Sequence, residues 1–265
     1  MTEQDFFNRN KQAWNNKVPV HITSEFYDQK SFISGKNSLP NIDLNLLGDV
    51  SNLSILHLQC HFGQDTLSLA RMGAQVTGID LSDKAIDTAK KLNDELQLNA
   101  QFVCCNVYDT RNYIKQQFDI VYTSYGTIGW LPDLDRWAKV IVDSLKPGGK
   151  FIFVEFHPVI WMFDDDFTKI QYHYHNEKPI IETFTGTYAQ KDAEIQTDYV
   201  GWNHSLAEVI SSLLKQGLEI KSFEEYDYSP YNCFNKTFEF EKGKFRIKGF
   251  ENKLPMLYSI TAIKK

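Results

Sequence analysis

Between residues 53 and 154 short apolar runs alternate with longer amphipathic ones, and this alternation limits the possible folds more than any other feature of the chain. Leu53–Leu58, Gln75–Ile79, Gln101–Cys105, Phe118–Thr123 and Lys150–Glu155 have the length and apolar content of buried strands. Thr66–Met72 reads as a helix stopped by Gly73, and Ser82 opens a helix running to about Gln97. Asp133–Leu145 carries Leu134, Trp137, Ala138, Ile141, Val142 and Leu145 on one face, ended by Pro147-Gly148-Gly149. Strands alternating with helices predict βαβ units and a parallel, doubly wound α/β sheet. Leu218–Tyr226 and Leu257–Ile263 bring the expected strand count to seven, with helices on both faces.

The flanking segments behave differently. In 156–203 aromatics are dense and helical periodicity is absent, while Tyr172–His175, Ile181–Tyr188 and Ile195–Tyr199 alternate. That predicts an antiparallel β insertion. Ser205-Leu206-Ala207-Glu208 has the form of a capping box opening a helix that Gly217 closes. Lys242-Gly243 marks a hairpin whose basic residues through Lys248 guard an edge. Residues 1–50 read as a helical N-terminal cap with Trp14, Phe26, Tyr27 and Phe32 as anchors, and 51–265 as the main domain containing the insertion.

Composition sets further limits. The 265 residues suffice for a large single core. The 28 basic residues are outnumbered by 34 acidic ones, net −6, and only Arg9, Arg71, Arg111, Arg136 and Arg246 are arginines. This argues against nucleic acid as a partner. Cys60, Cys104, Cys105 and Cys233 show neither a disulfide framework nor a CxxC pair. With no apolar leader in Met1–Trp14 and no run near the ~18 apolar residues of a membrane span, the expectation is a cytoplasmic protein with no membrane partner.

In an open parallel sheet, ligands bind beyond the carboxyl ends of the strands. The turn Gln59–Thr66 follows the first strand with a helix start behind it, which suits backbone N–H groups to a ligand. Asp80 follows the second strand, placed to accept from two adjacent ribose hydroxyls. Asn106 and Val107 follow the third, and Ser124-Tyr125-Gly126 the fourth.

The segments Ile55–Gly63, Val76–Ser82, Phe118–Tyr122 and Leu145–Gly149 together resemble the class I S-adenosylmethionine-dependent methyltransferases, strongly over about residues 50–155. More narrowly the chain is similar to a bacterial small-molecule group with an HLQCHFG first loop and a TSYG…WLPDL segment. The resemblance implies a Rossmann-like sheet and a job for each matching position. Gln59, Cys60, His61 and Gly63 would pass under the methionine part of S-adenosylmethionine. Asp80 would hold the ribose diol and Leu81 would pack on the adenine. Asn106 and Val107 would meet the adenine edge, and Ser124 and Tyr125 would line the methionine end. The chain departs from the usual (D/E)xGxGxG loop, because His57, Gln59 and His61 stand at the acidic position and the first two glycines, and only Gly63 is kept. An NAD(P)-dependent enzyme is the alternative for this architecture, but a dinucleotide needs G-x-G-x-x-G to approach its pyrophosphate, and this loop offers one glycine.

Methyl transfer to a carbon activated by a sulfonium demands chiefly alignment. A hydroxyl acceptor adds the need for a base, and histidine is the usual choice near neutral pH. His157 after the fifth strand is the leading candidate, with Tyr125 closing over the methyl group. His204 starts the capped helix, and Glu155 is positioned to orient His157 or an amine. His173 and His175 form a polar strand face, and Asp164-Asp165-Asp166 a solvated loop, so no metal site is expected. Trp130, Trp161 and Trp202 divide between acceptor pocket and core packing. The Pro-containing motif of base-amino methylation, the nucleophilic Cys of cytosine C5 methylation and the paired-glutamate loop of arginine methylation are all missing. A small-molecule acceptor is therefore expected. A non-catalytic S-adenosylmethionine- or S-adenosylhomocysteine-binding protein remains the alternative, and the oligomeric state is open.

Overall fold

The computed structural model describes residues 1–265. Three helices come first, α1 (Glu3–Thr23), α2 (Gln29–Ile33) and α3 (Asn41–Leu47). The alternating region follows as β1 (Ser54–Leu58), α4 (Gln64–Arg71), β2 (Gln75–Asp80), α5 (Asp83–Glu95), β3 (Gln101–Cys104), α6 (Thr110–Tyr113), β4 (Phe118–Ser124), α7 (Leu134–Ser144) and β5 (Leu145–Phe156). The hairpin β6 (Ile180–Thr185) and β7 (Gln196–Gly201) precedes α8 (Leu206–Lys215), β8 (Leu218–Tyr226), the hairpin β9 (Thr237–Glu241) and β10 (Lys244–Ile247), and β11 (Leu257–Lys264).

Seven strands form one sheet in the order β3-β2-β1-β4-β5-β11-β8. The first five are parallel, and β11 runs antiparallel between β5 and β8. The order reverses between β1 and β4, so the crevice for a ligand opens there. Core residues on one face (Leu56, Leu58, Val121, Phe151, Phe153 and Ile260) pack on Trp137, Ala138 and Ile141 of α7 and Val209 and Leu213 of α8. On the other, Ile55, Val76 and Tyr122 meet Leu47, Val50 and Leu69, while Phe32 of α2 joins Leu67, Ile86 and Phe102.

Three expectations need correction. Pro147-Gly148-Gly149 does not separate helix from strand: α7 ends at Ser144, and β5 already pairs at Leu145 with Phe118, the triplet riding in a bulge between Phe118 and Ile120. Tyr172–His175 is not a strand. The Asn203 side chain donates to the carbonyls of His173 and Trp161, holding the segment in a bent form outside any strand, so His173 and His175 share no strand face. The capping box at α8 is half formed. Ser205 accepts the N–H of Glu208, but the Glu208 carboxylate turns to His204 Nδ1, 3.0 Å away. The N-terminal segment clamps onto the insertion, because the Asn10 amide accepts from the N–H of Val200 and donates to its carbonyl, both at 2.8 Å.

Candidate active site

A cavity of about 870 Å³ opens at the carboxyl ends of β1 to β5, roofed by α1 and the β6–β7 hairpin. Gln59, Cys60, His61, Gly63, Asp80, Leu81, Asn106, Val107, Ser124 and Tyr125 all line it. The structure thus brings all ten expected cofactor positions to one space.

The first loop is built from strained backbone. Gln59, His61 and Gly63 all have positive φ, at 55°, 51° and 84°. Two side chains therefore sit in the left-handed region that glycine normally takes. Hydrogen bonds hold them there. Gln59 Nε2 donates to the Thr127 carbonyl at 2.8 Å, the His61 N–H donates to Asp80 at 2.8 Å, and His61 Nε2 lies 2.9 Å from His21 Nδ1 of α1. Gly63 is a true requirement, since a Cβ there would lie 2.8 Å from the Phe102 ring.

Polar atoms in the loop remain unspent. Gln59 Oε1 and His61 Nδ1 are buried without partners. Asp80 accepts from the N–H of Ser82 on one oxygen and from that of His61 on the other. Burial raises its carboxyl to about 6, against the pull of these N–H groups. Each oxygen keeps a free lone pair, enough for two further hydroxyl donors. His57 donates no charge to the site: buried against Thr66, its imidazole is pushed down to about 3. Asn106 Oδ1 accepts from the Tyr108 N–H, leaving its amide NH₂ as the part able to meet a ligand.

The expected base is not in the site. His157 does not line the cavity. Its N–H donates to the carbonyl of Met256, just before β11, and its ring turns across that strand so that Nε2 lies 2.8 Å from Glu225 of β8. Nδ1 accepts from the Val159 N–H, and burial lowers the pKa of the ring against the attraction of Glu225. Tyr125 lines the cavity, but its hydroxyl is spent on the scaffold. Its hydroxyl donates to Asp43 of α3, and burial beside that carboxylate holds the phenol well above its usual range. It is a wall, not an acid or base. Glu155 orients neither His157 nor a ligand, since its carboxylate accepts from the backbone N–H groups of Gly126, Thr127, Ile128 and Phe156 and so fixes the turn after β4. His204 lines the cavity, with Nε2 on the Leu131 carbonyl at 2.8 Å and Nδ1 lying 3.0 Å from Glu208. Trp130, Trp161 and Trp202 all line it too, although Trp202 is buried and Trp161 exposed. No group of three His, Cys, Asp or Glu side chains is arranged to hold a metal.

Sequence reasoning passed over the contribution of α1. Phe7, Asn10, Trp14, Lys17 and His21 recur at intervals of three and four, so one helical stripe carries three polar residues among aromatics. Asn10, Lys17 and His21 are buried, which is the signal the spacing held. Tyr27, Tyr188 and Tyr231 complete the aromatic lining, with the Tyr27 and Tyr188 hydroxyls bonded to each other.

Seven strands in this order, with an open crevice at the β1–β4 switch and a carboxylate at the end of β2, define a class I methyltransferase-like fold. Residues 55–149 match the family model for a methyltransferase domain, and the chain carries that domain there. Among curated relatives, a ubiquinone biosynthesis O-methyltransferase of Coxiella burnetii is 35% identical over 99 residues, which is 37% of this chain and 42% of that protein. The chain thus spans under half the length of this relative. Two solved structures share the fold. An S-adenosylmethionine-dependent methyltransferase from Mesorhizobium loti covers 88% of this chain and all of its own, with 18% identity and a TM-score of 0.57. A geranyl diphosphate C-methyltransferase from Streptomyces coelicolor, bound to S-adenosyl-L-homocysteine, covers 84% of this chain and 73% of its own, at 15% and 0.56.

Proposed function

We propose that the protein transfers a methyl group from S-adenosylmethionine to a small-molecule acceptor. The observation that carries this reading is the first loop. It keeps the backbone turn of a glycine-rich loop with Gln59 and His61 in place of glycine, and leaves Gln59 Oε1 and His61 Nδ1 buried and unpaired near Asp80. These atoms suit a ligand that carries a ribose diol and an ammonium group. Asp80 would hold the diol, Leu81, Asn106 and Val107 the adenine, and Gln59 and His61 the amino-acid end. The cofactor, when bound, supplies a methyl group on a positively charged sulfur. The residues of the chain then bind, orient and exclude water, work that can supply most of the rate. Trp14 and the hairpin residue Tyr199 cover the cavity, and the β5 end and the insertion shape its far side with Phe156, Trp161 and Tyr172.

No imidazole is free in the cavity to act as a strong base. Burial holds His61 well below its ordinary pKa, and His204 meets the Leu131 carbonyl through Nε2 while its Nδ1 faces Glu208 at 3.0 Å. This favours an acceptor that needs no proton removed in the transition state, or whose proton leaves to water. It also keeps a second reading open for test, a protein that binds the cofactor without turnover. We place the protein in the cytoplasm of a bacterium, on its four free thiols, on the bacterial relatives and on the absence of any helix long and apolar enough to cross a membrane.

Asp80→Asn tests the site. It keeps the size of the side chain but removes one acceptor oxygen and the charge. We expect S-adenosylhomocysteine affinity to fall about 100-fold, on the scale of a charge-assisted hydrogen bond worth ~1.5–3 kcal/mol, with the thermal midpoint near wild type. Equal affinity in both proteins would remove Asp80 from the site.

A further inference from the structure

Lys17 has no part in the reading above. It is 7% exposed and lines the cavity. Its ammonium lies over three rings, 4.8 Å from the centroid of Trp14, 5.1 Å from Trp130 and 6.0 Å from Tyr199. Lys11, six residues earlier on the same helix, pairs with Asp83 at 2.9 Å, whereas Lys17 has no carboxylate partner and burial alone pulls its pKa down to about 8. Ring faces return only part of what an ammonium loses on leaving water. A buried charge normally has a partner, and Lys17 lines the cavity without one. The partner is therefore an anion that arrives with a ligand. The neighbouring imidazoles of His21 and His61 are held neutral by burial; of the other lysines that line the cavity, Lys36 pairs with Asp28 and Lys191 donates to the Phe234 carbonyl, so Lys17 stands among these rings as a lone ammonium with no arginine fork. That matches a carboxylate better than a doubly charged phosphate.

We propose that Lys17 anchors a carboxylate of a molecule bound in the cavity, with Trp14, Trp130 and Tyr199 shielding the pair from water. Two sources share this chemistry: the amino-acid end of the cofactor, and a carboxylated acceptor. The inference rests on the proposed function only for the first of them.

Calorimetric titrations of wild type and Lys17→Met separate the sources, using S-adenosylhomocysteine, 5′-methylthioadenosine (the same nucleoside without an amino-acid end) and phenylacetate. A loss of ten- to a hundredfold for S-adenosylhomocysteine, with methylthioadenosine unchanged, assigns the carboxylate to the cofactor. Unchanged nucleoside binding with loss of phenylacetate assigns it to the acceptor. If wild type takes neither nucleoside, the proposed function falls, and the phenylacetate arm still decides the role of Lys17. The proposal is overturned if Lys17→Met binds every ligand as wild type does, or if wild type binds no carboxylate among the three. Thermal unfolding guards against misfolding: the variant should melt at or above the wild-type midpoint, since it loses an unpaired buried charge. Lys17→Arg, which keeps the charge, should retain carboxylate binding to within tenfold.

Discussion

At the scale of single residues, the first loop shows how a side chain can occupy a glycine conformation. Gln59 and His61 each carry left-handed strain of roughly 1–2 kcal/mol, offset by the hydrogen bonds to Thr127, Asp80 and His21. Gly63 has no such freedom. Gly63→Ala should destabilise the fold by about 2–5 kcal/mol, combining overpacking against Phe102 with positive-φ strain, as chemical denaturation would show. A variant as stable as wild type would mean that the Phe102 ring yields. His157 gives the opposite kind of test. His157→Gln should leave cofactor affinity and any turnover near wild type and lower stability by about 1–3 kcal/mol, because it breaks the buried contacts to Val159 and Glu225. A selective collapse of turnover in a stable variant would put the imidazole back into the chemistry.

At the scale of elements, α3 docks on β4 through one buried carboxyl. Asp43 accepts from the hydroxyls of Tyr122 and Tyr125, and burial raises its pKa to about 7, against the pull of those two donors. A carboxyl raised on folding binds more protons in the folded state. Its contribution to stability is fully present below the unfolded pKa near 3.8 and is lost as pH rises through about 7. His21 and His57, both lowered to about 3 by burial, tilt the whole profile the other way over the acid range. The comparison of Asp43→Asn with wild type isolates the carboxyl. The variant should gain about 2–4 kcal/mol relative to wild type between pH 4 and pH 8, read from urea midpoints. A constant difference across that range would mean that Asp43 stays charged in the fold.

The alternating strands and helices were legible because the sheet buries both faces, so each strand is a continuous apolar run whose ends turn residues mark. Nine of the ten cavity positions were legible because ligand sites in such sheets follow strand ends, and Leu81 through the resemblance to the methyltransferases. What was hidden depends on contacts across the chain. The turn of His157 over β11 is set by Met256 and Glu225, about 100 and 70 residues away in sequence. Tyr172–His175 alternates like a strand, yet Asn203 ties it down in another form. Lys17 and His21 look like ordinary polar residues of a surface helix until the hairpin covers α1.

At the scale of the molecule, the cavity exists because two additions to the sheet meet over it. The cap reaches the insertion through the Asn10 amide, paired in both directions with the backbone of Val200. Asn10→Ala removes both bonds and leaves Val200 unpaired on that side. Hydrogen exchange at Gln196–Gly201 should quicken about tenfold, on the scale of ~1–2 kcal/mol, with strands β1 to β5 unaffected. Equal protection in both proteins would show that packing alone closes the roof. A bound ligand that touches both the loop and the roof should slow the same exchange, which makes closure and binding two readings of one event.

The most direct test of the account is a calorimetric titration of the protein with S-adenosylhomocysteine, with NAD as the control. The account predicts one site of micromolar affinity for S-adenosylhomocysteine and no heat from NAD. Absent binding of S-adenosylhomocysteine, or binding of NAD in its place, would contradict it, because the loop through Gln59 and His61 would then not be the floor of a cofactor site for methyl transfer.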